Sequence, residues 1–83
     1  MEIKVLGPGC ANCRRLEALV REVVVEMGAP ADVSKVTDYR EMMAYHILAT
    51  PGLVVDGELK AAGRIPSKAE ITTWVASALE QAQ

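Results

Sequence analysis

The chain predicts an α/β fold: a four-stranded mixed sheet flanked by helices, in the order βαβαββα. Three observations lead there. Strand-like and helix-like apolar patterns alternate along the chain. Breaks rich in glycine and proline separate them at Gly7-Pro8-Gly9, around Gly28 and Pro30, and at Thr50-Pro51-Gly52. An Asp56-Gly57 dipeptide sits between two β-type runs, where a hairpin turn needs positive φ at both central residues.

The elements follow in order. Glu2 to Leu6 carries Ile3 and Val5 on one face and reads as a strand. From Cys10 or Ala11 a helix begins, with Leu16, Leu19, Val20, Val23, Val24 and Met27 on one stripe. Arg14, Arg15, Glu17, Arg21, Glu22 and Glu26 fill its other side. Gly28 ends it and Pro30 prevents its resumption. Ala31 to Thr37 is expected to be a second strand. Asp38 with Glu41 forms a capping box that opens a short helix through about His46. Met42, Met43 and Tyr45 are its expected core contacts. Leu53 to Val55 and Leu59 to Gly63 make the hairpin. Ser67 with Glu70, preceded by Pro66, opens a last helix with Ile71, Trp74, Val75, Ala78 and Leu79 on one stripe. The β–α–β segment implies a right-handed crossover and parallel strands, to which the hairpin adds antiparallel ones.

At 83 residues the chain is expected to be a single domain spanning 1–83, and its 51% hydrophobic content supports a core. A net charge of −2 without a basic cluster argues against nucleic acid as a partner. The longest apolar run is too short to span a membrane. Met1 to Val5 carries no charged-then-apolar leader, so a cytoplasmic protein is expected. With no long apolar surface stripe left over, a monomer is expected.

Both cysteines, Cys10 and Cys13, fall within four residues at a strand-to-helix junction. A structural staple gains most from a long loop, and this pair closes a very short one. The first turn of a helix offers unpaired N–H groups and the positive end of the dipole, so a thiolate placed there is stabilised and nucleophilic. Cys13 lies one turn on, near enough for the sulfurs to meet. The expected chemistry is thiol–disulfide exchange: Cys10 attacks a disulfide of a protein or small thiol compound, and Cys13 resolves the mixed disulfide. An outside electron donor, such as a reductase of thioredoxin-reductase type, resets the pair, and no cofactor or metal is required. Ala11, Asn12 and Arg14 are the positioning and electrostatic candidates. Arg14 and Arg15 read first as a solvated helix face. For Pro51 two readings stay open: a helix stop, or a cis proline presenting open backbone beside the thiols.

The stretches at 7–13 (Gly-Pro-Gly-Cys-Ala-Asn-Cys), 35–38 (Lys-Val-Thr-Asp), 50–57 (Thr-Pro-Gly-Leu-Val-Val-Asp-Gly) and 62–67 (Ala-Gly-Arg-Ile-Pro-Ser), in this element order, resemble the thioredoxin superfamily. The likeness is strongest to its small, glutaredoxin-sized redox-active disulfide proteins and covers nearly the whole chain. It implies a thioredoxin-like fold, a cis Pro51 facing the cysteines, a Thr50 backbone that pairs with an extended substrate segment, and a Gly63 that leaves room for it. Two departures stand out. Ala11-Asn12 replaces the Gly-Pro of typical thioredoxins, so their potential is not carried over. The Thr-Val-Pro and acidic helix start with which glutaredoxins hold glutathione are missing.

Two rival functions compete. Copper(I) carriers also place C-x-x-C between a first strand and helix, because paired thiolates suit Cu(I). They usually carry Met two residues before the first Cys, where this chain has Pro8, and they follow a βαββαβ order. A zinc site would need further ligands, and His46, the lone histidine, reads as a surface or helix-end residue. A redox sensor or adaptor on the same fold is the other alternative.

Overall fold

The computed structural model describes residues 1–81. Seven elements appear: β1 (Glu2–Leu6), α1 (Ala11–Met27), β2 (Asp32–Val36), α2 (Tyr39–Met43), β3 (Gly52–Val55), β4 (Glu58–Ala62) and α3 (Lys68–Gln81). The sheet order is β2-β1-β3-β4, with β1 and β2 parallel and the β1–β3 and β3–β4 pairs antiparallel. This is the predicted mixed four-stranded sheet with flanking helices.

The hairpin closes as its turn residues require. Asp56 and Gly57 take φ of 46° and 84°. The Asp56 carboxylate also accepts the Glu2 backbone N–H at 2.8 Å, tying the turn to β1. Gly28 caps α1 in the left-handed conformation, φ 62°.

One face of the sheet carries α1 and α3. Ile3, Val5, Leu16, Val20, Val23, Leu53, Val55, Ile71, Val75 and Ala78 form that core, most of them fully buried. Burying each large aliphatic side chain contributes roughly 1.5–3 kcal/mol. The opposite face holds a smaller cluster of Leu6, Val36, Met42, Ile47 and Val54, with Tyr45 packed against it. There Lys4 Nζ donates to the Tyr45 hydroxyl at 3.1 Å, across the sheet face that α2 leaves open.

Several boundaries differ from expectation. The helix expected through His46 ends at Met43, because the N–H groups of Tyr45 and His46 bond three residues back and His46 takes φ 57°. That turn lets Ile47 drop into the core. Met42 is buried, but Met43 is 42% exposed and is not core. The second strand is Asp32–Val36, shorter at both ends than 31–37. The fourth strand starts at Glu58 and stops at Ala62, since Gly63 turns out of the ladder with φ 76°.

Candidate functional site

The site forms where β1 hands over to α1. Gly7 donates its N–H to the Val36 carbonyl at 3.0 Å, which holds the end of the strand against β2. Two residues on, Gly9 takes φ 94° and turns the chain into the helix. Cys10 is the N-cap of α1, with extended φ and ψ of −69° and 168°. In that place its Sγ accepts the backbone N–H of Cys13 at 3.1 Å. The sulfur therefore does what a serine hydroxyl or aspartate carboxylate does at other helix starts.

Cys10 and Cys13 are joined as a disulfide, with their Cα atoms 5.0 Å apart. The two sulfurs differ in surroundings. Cys10 is partly exposed, whereas Cys13 is 5% exposed and lies under the strand end. Gly7 makes that burial possible. A Cβ at Gly7 would collide with Cys13 Sγ. The same Cβ would stand 3.8 Å from Thr50 Cβ, so Gly7, Cys13 and Thr50 converge on one spot.

The Thr50–Pro51 peptide bond is cis. Pro51 is buried, and its carbonyl accepts the Gly63 N–H at 2.9 Å. Thr50 is exposed, and among the described residues its backbone N–H and carbonyl have no hydrogen-bond partner. Gly63 packs against this segment. A Cβ there would approach Ala49 Cβ to 3.0 Å, so the space beside Gly63 is filled by Ala49.

Of the other predicted residues, Ala11 and Asn12 are exposed on the first turn of α1. Arg14 is exposed too, and its Nη1 donates to the Gly9 carbonyl at 2.7 Å, bracing the turn that precedes Cys10. Arg15 lies on the solvated face.

Two grooves flank the disulfide. One, of about 520 Å³, runs from Pro8 and Thr50 to α2 and is mostly apolar, walled by Tyr39, Met43 and Leu48 among others. The other, of about 210 Å³, opens on Cys13 between Gly7, Gly9, Arg14, Glu17, Lys35 and Thr37. Sequence reasoning missed Gly7 as more than a break, and it missed Glu17 as a neighbour of the site. Glu17 follows Cys13 by four residues, a spacing that puts both on one side of a helix and was the available signal. Among the described residues no group of three or more His, Cys, Asp or Glu is placed to hold a metal ion, and no helix is long and apolar enough to cross a membrane.

Comparison with known proteins agrees with this geometry. The family model described as "Thioredoxin domain" matches residues 1–76. A thioredoxin from Methanothermobacter thermautotrophicus is 46% identical over 71 residues, covering 86% of this chain and 92% of the relative. A thioredoxin from Methanocaldococcus jannaschii is 36% identical over 78 residues, covering 94% and 90%. With a C-x-x-C disulfide at the head of its first helix and relatives of matching length, this chain belongs to the thioredoxin domain family and is a thiol–disulfide oxidoreductase.

Proposed function

We propose that Cys10 is the attacking thiol and Cys13 the resolving one, in the exchange of electrons with disulfides of proteins or small thiol compounds. The observation that carries this reading is the asymmetry of the pair. Cys10 is partly exposed and caps the helix, where the Cys13 N–H and the dipole favour its thiolate. Cys13 is buried beneath Gly7 and bonded to its partner sulfur.

The exchange balances in two steps. The Cys10 thiolate attacks one sulfur of the substrate disulfide, forming a mixed disulfide and expelling the first substrate thiolate. Cys13 loses its proton and attacks Cys10 Sγ, forming the internal disulfide and releasing the second substrate thiolate. The substrate gains two electrons and the protein loses two. A reductase or other dithiol donor restores the pair by the reverse sequence.

The Thr50 backbone is the edge against which an extended substrate segment pairs, since the residue is exposed and its N–H and carbonyl are unpartnered among the described residues. Pro51 and Gly63 support that edge from behind through their 2.9 Å hydrogen bond. A dithiol that must be regenerated belongs in a reducing compartment, which supports a cytoplasmic location.

Single-cysteine variants test the assignment. Cys13→Ser is expected to accumulate a mixed disulfide with a disulfide substrate, seen by mass, while Cys10→Ser accumulates none. Equal trapping by both variants contradicts it.

A further inference from the structure

The first helix carries its charges against its own dipole. Acidic side chains stabilise a helix at its N-terminus and basic ones at its C-terminus. The first turn of α1 holds no acidic residue, and its last turn holds no basic one. Instead Arg14 and Arg15 stand just inside its start, and Glu22 and Glu26 lie toward its end. This arrangement costs stability, and local rules broken in this way belong to functional sites. We propose that Arg14 and Arg15 are specificity-determining residues. They select substrate disulfides set in acidic segments, by pairing with carboxylates beside the substrate cysteine. The inference rests on the exchange at Cys10 just described, and it names the class of disulfide that the site takes.

Three observations carry it. The first is placement. Helix side chains lean toward the N-terminus, and Arg14 does so: its Nη1 reaches the carbonyl of Gly9, the neighbour of Cys10, at 2.7 Å. A guanidinium has about five N–H donors, so this bond leaves others for a partner. Arg15 is exposed one helical turn beyond the exposed Ala11.

The second observation is that both charges are unanswered. Among the described residues, Arg14, Arg15 and Arg40 are the basic side chains without an ion pair. Glu22 and Glu26, by contrast, share Lys68 at 3.2 and 2.6 Å. The far end of α1 is thus neutralised within the fold, and the disulfide end is not.

The third is that the surroundings do not cancel the field. No charged residue lines the large groove. In the small groove Glu17 is engaged by Arg21 at 3.0 Å and faced by Lys35 at 3.9 Å. The chain as a whole carries −2, so the positive end is a local feature and not a reflection of overall charge. A field of this sign speeds the encounter with an acidic segment and slows that with a basic one.

Three disulfide-linked peptide dimers test it, identical except for glutamate, glutamine or lysine on both sides of the cysteine. Their exchange with the reduced protein is stopped by alkylation and read by mass. Each rate is divided by that of the same peptide with dithiothreitol, which removes differences in intrinsic reactivity. In about 0.01 M salt, where charges act over about 30 Å, wild type is expected to favour the glutamate peptide over the lysine peptide about tenfold or more, with glutamine between. In about 1 M salt the preference should collapse. Arg14→Gln combined with Arg15→Gln should lose it, and Arg14→Lys combined with Arg15→Lys should keep it. Arg15→Glu, whose new charge agrees with the dipole and favours folding, should shift the preference toward the lysine peptide. Each readout is a ratio between peptides, so loss of the Arg14 brace on Gly9, which slows all three alike, does not imitate these results. Equal wild-type rates on the three peptides at low salt overturn the proposal. So does a preference that survives in the double glutamine variant. Exchange with none of the peptides overturns the assignment of Cys10 as the attacking thiol, and this proposal with it.

Discussion

At the scale of single residues, the site is made by what is small as much as by what is reactive. The spacing of Cys10 and Cys13 made the dithiol plain, because a helix start with two thiols one turn apart suits few other purposes. The part played by Gly7 was not legible in the same way. The sequence marks it only as part of the Gly7-Pro8-Gly9 break, but its φ is not among the positive ones, and its need for glycine comes from Cys13 Sγ pressing on it across the fold. Gly7→Ala is therefore expected to displace the buried sulfur and to destabilise the oxidised protein by about 1–3 kcal/mol, the usual range for overpacking. Denaturant titration of the oxidised form checks the magnitude, and an unchanged midpoint would show that the strand end yields freely. Gly63 was legible as a close-approach residue, but what approaches it is Ala49 of the same chain.

At the scale of elements, the helix starts were readable because their chemistry is local. The Ser67–Glu70 box forms in full: the Glu70 N–H donates to Ser67 Oγ at 3.1 Å, and the Ser67 N–H donates to Glu70 Oε1 at 3.0 Å. Ser67→Ala should cost about 1 kcal/mol in chemical denaturation, as loss of an N-cap does elsewhere. Glu70 also takes a forked ion pair from Arg64, at 3.1 and 2.9 Å. The Arg64 guanidinium, followed by the Ser67 N–H, holds the Glu70 carboxyl down at about 2, against 4.5 for the free group. A depressed carboxyl stabilises the fold above the unfolded value and loses that contribution as pH falls through the folded one. The stability advantage of wild type over Glu70→Gln should then be constant above pH 5 and vanish between about 4.5 and about 2. A gap independent of pH would refute the ion pair's part in it. The second helix shows where local reading ends. Asp38 caps it, accepting from the Arg40 and Glu41 N–H groups at 2.7 and 3.3 Å. Its early stop is set by Ile47 reaching the core, a tertiary demand that no capping signal announces.

At the scale of the whole molecule, all seven elements were placed in order from apolar patterns, capping boxes and turn signals together, and the handedness of the β–α–β crossover with the hairpin accounts for the mixed sheet. What periodicity could not convey is which residues meet across elements, and the two grooves beside the disulfide are built from such meetings. Stability is spread thinly over so small a chain, at roughly 4–12 kcal/mol in total for a protein of this length. Ile71, fully buried where α3 meets the core, is thus a severe test of the packing. Ile71→Ala should cost about 2–5 kcal/mol and lower the denaturation midpoint sharply, and a loss under 1 kcal/mol would show that this core repacks. The central claim, a reversible couple between Cys10 and Cys13, is tested most directly by equilibrating the metal-free protein across a dithiothreitol redox series and reading alkylated thiols by mass. The account predicts one two-electron transition in which both thiols disappear together. Two thiols that alkylate independently at every poise, with no disulfide formed, would contradict it.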